Sequence, residues 1–215
     1  LESFTPTVVS FHFGLPSPEL LARVKSRGSM VVSSATTVEE ALWLQEHGAD
    51  AVIAQGLEAG GHRGHFLQKD IARQSTLADL LRDVVPALDI PVIAAGGIAD
   101  AAGVRMAMGY GASAVQVGTA FLLCPEATTG PLHRARLRDV AAPTALTNLF
   151  TGGLARGLIN RAMNDLGPVS DVAPPFPLAA EAMAPLRAKA EAIGRDDFTS
   201  LWSGANRGGC REVPA

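Results

Sequence analysis

Five short apolar runs, separated by helical stretches, constrain the fold of this chain more than any other feature. The runs contain few polar residues and span 7–11, 30–33, 51–54, 91–95 and 114–117. Parallel strands covered on both faces need such continuous apolar runs, whereas half-exposed strands alternate apolar and polar residues. Because helical stretches separate the runs, we expect right-handed crossover connections between parallel strands. The sequence therefore predicts an α/β fold built on a parallel sheet.

An internal similarity indicates that strand-and-helix units repeat. The segment Gly48-Ala-Asp-Ala-Val-Ile-Ala-Gln-Gly56 resembles Gly111-Ala-Ser-Ala-Val-Gln-Val-Gly118. Two architectures fit, a doubly wound open sheet and a (β/α)8 barrel. Polar or glycine residues follow every strand, which favours the barrel, since an open sheet would concentrate them at one switch point. A closed barrel needs eight strands and only five are predicted, so either the sheet is open or three units are missing.

A glycine-rich loop follows the third strand. It reads Gln55-Gly-Leu-Glu-Ala-Gly-Gly-His-Arg-Gly64 and places four glycines around Glu58, His62 and Arg63. Glycine permits positive φ and lets the backbone approach a ligand closely, so the loop is predicted to hold a cofactor and to present His62 to a substrate. An imidazole titrates near neutrality and can remove a proton from carbon. The alternative for His62 is a histidine on a solvated loop. Glu58 could orient the loop or bond Arg63, and a plain surface pair is the alternative.

Two further glycine turns, at 96–97 and 118–119, follow the last two strands. Barrels commonly bind phosphate at these positions through backbone N–H groups, although tight turns alone would also explain the glycines. Neither turn fits the dinucleotide or P-loop patterns. Gln55 and Gln116 end two strands, and each amide needs a hydrogen bond from backbone or from a ligand.

Composition and charge exclude several classes of partner. The chain has 47% hydrophobic residues, a net charge of −3 and no basic run, so we expect no nucleic-acid partner. Cys124 and Cys210 match no metal or redox spacing, which favours a reducing compartment. No apolar run approaches the roughly 18 residues of a membrane span, and no signal pattern opens the chain, so we expect a cytoplasmic protein without membrane association. His12, His62 and His65 lack a neighbouring carboxylate or cysteine ligand, and no metal site is expected.

The pattern changes beyond residue 121. We expect a helix over 131–139 whose basic face is solvated, a strand over 144–150, a loop over 152–157 and a helix over 158–166. A proline-rich linker at 170–177 precedes a helix over 179–193, and a glycine-rich tail at 198–211 is expected to fold back toward the carboxyl ends of the strands.

Several of these segments together resemble the nitronate monooxygenases, formerly called 2-nitropropane dioxygenases. The matching segments are 9–14, 55–64, 91–98, 114–121, 156–161 and the tail 201–214. The resemblance implies strands four to eight of an FMN-binding TIM barrel over residues 1–125, followed by a helical cap and tail over 126–215. Such a chain would expose two strand edges, so we expect either an upstream segment or an unusual assembly.

The resemblance also implies an activity and a set of site residues. The activity is the FMN-dependent oxidation of alkyl nitronates, with nitroalkanes as a further substrate class, by O2 to carbonyl compounds and nitrite, and a homodimer is an expected assembly. His62 would be the catalytic base, and His12 would line the substrate pocket. The residues expected to bind FMN are Gln55, Gly60, Gly61, Gly96, Gly97, Gln116, Val117, Gly118 and Thr119.

Two alternatives stay open at this point. Flavin-dependent NAD(P)H:quinone and enoyl reductases share the Glu-Ala-Gly-Gly-His and Ala-Ala-Gly-Gly-Ile segments, whereas His-Arg-Gly and the tail Cys-Arg-Glu-Val-Pro favour the monooxygenase. The second alternative is a truncated, inactive barrel that binds a partner.

Overall fold

The chain folds into two compact units, seen in a computed structural model that describes residues 4–215. The first unit runs to Leu57 and resumes over Gly64–Gln116, and the second comprises Glu58–Arg63 and Val117–Ala215. Six residues of the glycine-rich loop therefore belong to the second unit. The predicted boundary near residue 125 between a barrel part and a cap stays a prediction.

A five-stranded parallel sheet forms the centre of the first unit. Its strands are β1 (Val8–Phe11), β2 (Met30–Ala35), β3 (Ala51–Gln55), β5 (Val92–Ala95) and β6 (Ala114–Gln116), paired in that order. The intervening strand β4 (Gly61–His62) lies in the second unit. The predicted α/β class with a parallel sheet is confirmed, and all five apolar runs form strands.

Four helices separate these strands, and each begins at a polar capping residue. They are α1 (Pro18–Lys25), α2 (Val38–Glu46), α3 (Leu77–Val84) and α4 (Ala101–Gly109). Thr37 caps α2 by accepting from the N–H of Glu40, and Asp100 caps α4 by accepting from the N–H of Gly103. Such caps satisfy backbone donors that the helix itself leaves unpaired. Threonine and aspartate are among the residues that helix N-caps prefer.

The sheet is open at both sides. Every residue of β3 is buried, and so are five of the six residues of β2, whereas β1 and β6 consist of exposed and half-buried residues. Within residues 4–215, β1 pairs only with β2 and β6 only with β5, so the expected barrel is not closed. The neighbouring strands follow chain order without the reversal that a doubly wound sheet requires.

The second unit contains a small antiparallel sheet and three helices. Strand β4 pairs with β8 (Ala155–Leu158), which pairs with β7 (Thr144–Thr147). The helices are α5 (Pro131–Leu137), α6 (Arg161–Leu166) and α7 (Ala179–Ala192).

Four sequence expectations for the second unit are wrong in part. Residues 61–62 of the glycine loop and 155–157 of the second predicted loop are strand, because each pairs with a neighbour distant in sequence. The helix predicted to start at 158 begins after Asn160, whose side chain accepts from the N–H of Met163. Residues 148–150 lie beyond the end of the strand predicted over 144–150.

The basic face of α5 is not a solvated surface, contrary to expectation. Arg134 donates to four backbone carbonyls, those of Leu123, Cys124, Ala127 and Thr129. Arg136 donates to the carbonyl of Ile159 and to Asp196, and only Arg138 is exposed, in a pair with Glu212. Two of the three arginines therefore hydrogen bond to buried or half-buried groups of the second unit.

None of the helices within residues 4–215 has the length and apolar character that crossing a membrane would require.

A buried carboxylate joins two segments of the first unit. Glu40 of α2 is 0% exposed and accepts from the N–H and hydroxyl of Thr36 and from the N–H groups of Phe66 and Leu67. A buried carboxylate with four donors is well satisfied, and each donor would lose its partner if the acceptor were removed. Glu40 thus connects the start of α2 to the chain that follows the glycine loop.

Replacing Glu40 with Gln should destabilise the protein, because an amide NH2 group cannot accept the hydrogen bonds of one carboxylate oxygen. We expect the free energy of unfolding to fall by about 3 kcal/mol, measured by urea denaturation. The neighbouring exposed substitution Glu39→Gln removes the surface pair with Arg73 and the charge that accepts hydrogen bonds at the start of α2, and should change stability by less than about 1 kcal/mol. Equal effects of the two substitutions would contradict this account.

Candidate active site

The carboxyl end of β1 positions His12 in the first unit. His12 Nδ1 lies 3.0 Å from the hydroxyl of Ser34 near the end of β2. The next residue, Phe13, has φ of 66°, and Gly14 accepts a 2.8 Å hydrogen bond from Ser33 through its carbonyl. A non-glycine residue at positive φ is uncommon and is found often at functional sites. The turn after β1 therefore holds His12 against the end of β2.

The side-chain amide of Gln55, at the start of the glycine-rich loop, hydrogen bonds to Gly64 at its end. Gln55 Oε1 accepts a 2.8 Å hydrogen bond from the N–H of Gly64. A Cβ at Gly64 would lie 2.7 Å from His12 Cε1 and 3.0 Å from Ser34 Cβ, closer than packing allows. Gly64 is thus required for His12 and Gln55 to occupy neighbouring positions at this edge of the sheet. The expected contact of Gln55 with FMN stays a prediction.

The same edge of the sheet carries the other expected cofactor residues of the first unit. Gly96 and Gly97 follow β5 with φ values of 116° and 70°, a conformation that favours glycine. Gln116 ends β6, is exposed and pairs in register with Ala95. Because the strands are parallel, their carboxyl ends lie together and bring these groups to one side of the unit.

His62 lies in the second unit within strand β4, opposite Ala155 of β8. Its Nε2 lies 2.8 Å from the hydroxyl of Thr151. Two aromatic rings flank the imidazole, Phe176 with a centroid distance of 5.6 Å and Trp202 with one of 5.4 Å. The half-buried ring is therefore held by named contacts, and the alternative of a solvated loop histidine is not what the structure shows.

Two consecutive glycines allow Phe176 to reach His62. A Cβ at Gly153 would lie 3.1 Å from the Phe176 ring and 3.4 Å from His62 Cδ2, and a Cβ at Gly152 would overlap the backbone of residues 174–176. The proline-rich segment therefore lies directly on the backbone that follows Thr151. Trp202 contacts Phe150 edge to face, with ring centroids 5.9 Å apart. Phe150 belongs to a hydrophobic core cluster of the second unit, so this contact connects Trp202 to that core.

The glycine-rich tail folds back onto the loop that carries His62. Ala205 donates to the carbonyl of Glu58, and a Cβ at Gly60 would overlap the backbone of Ser203 and Gly204. The hydroxyl of Thr119 accepts from the N–H of Gly204 at 3.0 Å. Gly60 and Thr119 therefore have structural roles in addition to the cofactor contacts expected of them, and those contacts stay predictions.

Charged groups near this loop are partly buried. Burial lowers the pKa of Arg156, and the negative charge of Glu58 acts in the opposite direction. Arg63 is only 1% exposed, and its N–H donates to the carbonyl of Leu154. The sequence interpretation of Glu58 and Arg63 as a surface pair is therefore wrong for Arg63, which is buried.

The remaining expected cofactor residues of the second unit are Gly61 in strand β4 and Val117 and Gly118 at the start of its longer segment. A Cβ at Gly61, where φ is 74°, or at Gly118 would meet no atom within 4 Å, so both backbones border open space. Val117 is half-buried, and Gly118 is exposed. Residues 4–215 contain no group of three or more His, Cys, Asp or Glu side chains arranged to hold a metal ion.

Sequence reasoning missed three side chains around His62, namely Thr151, Phe176 and Trp202. Thr151 precedes the pair Gly152 and Gly153, and paired glycines are the signal that could have indicated a close backbone approach there. Phe176 lies in a segment interpreted only as a linker. Phe176 and His62 lie more than a hundred positions apart in sequence, so no local sequence pattern could predict their contact.

Comparison with known proteins gives a consistent result. The sequence profile described as nitronate monooxygenase matches residues 1–215. Nitronate monooxygenase of Pseudomonas aeruginosa is 45% identical over 213 residues, which cover 98% of this chain and 60% of that protein. Nitroalkane oxidase from Streptomyces ansochromogenes superposes with a TM-score of 0.87 at 40% identity, covering 96% of this chain and 60% of that one.

A second structure is less similar. FabK from Thermotoga maritima superposes with a TM-score of 0.71 at 30% identity, over 96% of this chain and 63% of that one. This chain spans about 60% of the length of the Pseudomonas relative. Since the family profile covers every residue, the length difference does not affect the assignment: this chain belongs to the nitronate monooxygenase family.

Proposed function

We propose that the protein oxidises alkyl nitronates, and nitroalkanes after their deprotonation, with O2 to carbonyl compounds and nitrite in an FMN-dependent reaction. Family membership supports the reaction class. The observation that carries the proposal is the imidazole of His62, held by Thr151 and flanked by Phe176 and Trp202. A half-buried, oriented imidazole beside apolar rings suits a base that acts on a weakly polar carbon acid.

The glycine turns and strand ends suit a flavin nucleotide. Backbone at Gly96, Gly97 and Gly118 carries no side chain that would obstruct a phosphate, and the amide of Gln116 is exposed at its strand end. FMN, when bound, supplies the redox chemistry that side chains lack. We assign its binding to the residues that the family resemblance implies, Gln55, Gly60, Gly61, Gly96, Gly97, Gln116, Val117, Gly118 and Thr119.

The side chains then have separate tasks. His62 accepts the α-proton of a neutral nitroalkane, and the resulting imidazolium stabilises the nitronate anion. A nitronate supplied as substrate is already deprotonated and does not need this step. Phe176 and Trp202 keep water from one side of the imidazole, and His12, held by Ser34, lines the substrate pocket.

We also propose how the five-stranded sheet relates to a whole barrel. The strand order without reversal suits strands four to eight of a (β/α)8 barrel, with residues 126–215 as cap and tail. The relatives are longer than this chain, and their additional length is enough for the remaining strands. The homodimer and the cytoplasmic location stay predictions.

Replacing His62 with Asn should separate the two substrate classes. We expect kcat/KM for nitroethane to fall at least about 100-fold, because general-base catalysis is lost, whereas kcat/KM for ethyl nitronate falls less than about 10-fold. Steady-state nitrite release measures both. The exposed His47→Asn substitution on the first unit serves as the control and should leave both values unchanged. If His62→Asn kept full activity on nitroethane, the base assignment would be wrong.

Replacing Gln116 with Ala should weaken FMN binding without unfolding the protein. Loss of one hydrogen bond to a polar ligand corresponds to about a 10-fold rise in Kd, measured by quenching of flavin fluorescence. Ser113→Ala, an exposed change just before the same strand, should leave the Kd unaltered. An unchanged Kd in Gln116→Ala would remove this residue from the cofactor site.

A further inference from the structure

Thr151 contacts His62 through a hydroxyl that has a second set of partners. Its Oγ1 lies 2.8 Å from His62 Nε2, and it lies 3.3 Å both from the N–H and from the carbonyl oxygen of Gly153. A hydroxyl offers one donor and two acceptor sites. The N–H of Gly153 uses one acceptor site, so the donor and the second acceptor site remain for His62 and the Gly153 carbonyl.

This arrangement can satisfy His62 Nε2 whether or not that nitrogen carries a proton. When Nε2 is unprotonated, the hydroxyl donates to it. When Nε2 is protonated, it donates to the hydroxyl oxygen, and the hydroxyl proton turns to the carbonyl of Gly153. The ring can therefore gain and lose a proton without moving, because only the hydroxyl rotates. A serine would offer the same exchange, whereas a valine of similar shape would offer none.

The surroundings of His62 make this hydrogen bond important. Phe176 and Trp202, which flank the ring, provide no hydroxyl or carboxylate to replace Thr151. His62 is half-buried, so water can only partly replace a lost hydrogen-bond partner. An unsatisfied donor costs more free energy when it is charged than when it is neutral. Loss of the Thr151 hydroxyl should therefore disfavour the imidazolium more than the neutral imidazole.

Replacing Thr151 leaves every charged group near His62 unchanged. Arg63 follows His62 directly in sequence, and no titratable residue lies in the flanking segments 150–153, 174–177 and 201–204. His133 hydrogen bonds to the backbone of Trp202, and burial lowers the pKa of His133. Arg156 pairs with Gly61, so its side chain lies on the other face of the small sheet from His62, where Glu58 interacts with it. A change in titration in a Thr151 variant would thus report the hydroxyl.

We propose that Thr151 is a positioning residue, which holds the His62 imidazole in one orientation through both of its protonation states by exchanging its hydroxyl proton between Nε2 and the Gly153 carbonyl. The proposal deepens the proposed function and rests on it: because Nε2 faces Thr151, the substrate proton would go to the other ring nitrogen, Nδ1, and the ring must stay aligned before and after that transfer. It concerns the geometry of His62 and can be tested without substrate.

The test is an NMR titration of the imidazole Cε1–H signals in the wild-type protein, Thr151→Val and Thr151→Ser. The His62 signal is assigned by its absence in His62→Asn. We expect the midpoint of His62 to fall by about one pH unit in Thr151→Val, and to lie within about 0.3 units of wild type in Thr151→Ser. Thr199→Val, whose hydroxyl donates to Glu191, makes the same chemical change away from His62 and should leave the midpoint unaltered.

An unchanged His62 midpoint in a folded Thr151→Val protein would overturn the proposal, and so would a Thr151→Ser midpoint as low as that of Thr151→Val. If thermal denaturation shows that Thr151→Val does not fold, Thr151→Ala is titrated in its place with the same expectation.

Kinetics distinguish this proposal from the proposed function. If His62 is the base, the acidic limb of the pH profile of kcat/KM for nitroethane shifts down with the NMR midpoint in Thr151→Val, while nitronate oxidation changes less than about twofold. A shifted midpoint in a protein that lacks nitroalkane activity at every pH would support the role of Thr151 and reject the proposed function. An unshifted midpoint in Thr151→Val, together with nitroalkane oxidation by the wild-type enzyme, would support the proposed function and reject the role of Thr151.

Discussion

The hydrogen bond from the N–H of Gly64 to the side chain of Gln55 is the constraint on which the candidate site depends. It joins the two ends of a chain excursion that leaves the first unit after Leu57 and returns at Gly64. Glu40 then fixes the returning chain through the N–H groups of Phe66 and Leu67. With both ends held, the six residues between them can supply a strand to the second unit. That strand carries His62.

The glycines of this loop serve packing as well as any ligand. Gly64 makes room for His12, and Gly60 makes room for the tail at Ser203 and Gly204. A loop this rich in glycine would lose much conformational entropy on folding, and the contacts at its ends and along its length offset that loss. Gly152 and Gly153 likewise make room for another segment, since their lack of a Cβ lets Phe176 approach the imidazole of His62. Close backbone approach is therefore the common reason for glycine around both histidines.

Much of the first unit could be predicted from the sequence, and less of the second. Buried parallel strands and helix caps such as Thr37 and Asp100 leave local signals. The five strands lie within two residues of the predicted apolar runs. Strand β8 leaves none, since its Ala-Arg-Gly-Leu sequence is extended only because β4 and β7 pair with it. His62 was identified from its loop, whereas Thr151 and Phe176 could not be, because their roles arise from contacts about 90 and 110 residues away in sequence.

The most direct test of the central claim is to remove oxygen from the purified protein with bound, oxidised FMN and to record its visible absorption before and after addition of ethyl nitronate. We expect the flavin bands at about 370 and 450 nm to bleach or to change to those of a reduced form, because the nitronate is the electron donor. Bands that remain unchanged with nitronate but bleach rapidly with NADH would contradict it and indicate a reductase. A protein that takes up no FMN would contradict it as well, because the proposed reaction requires the cofactor.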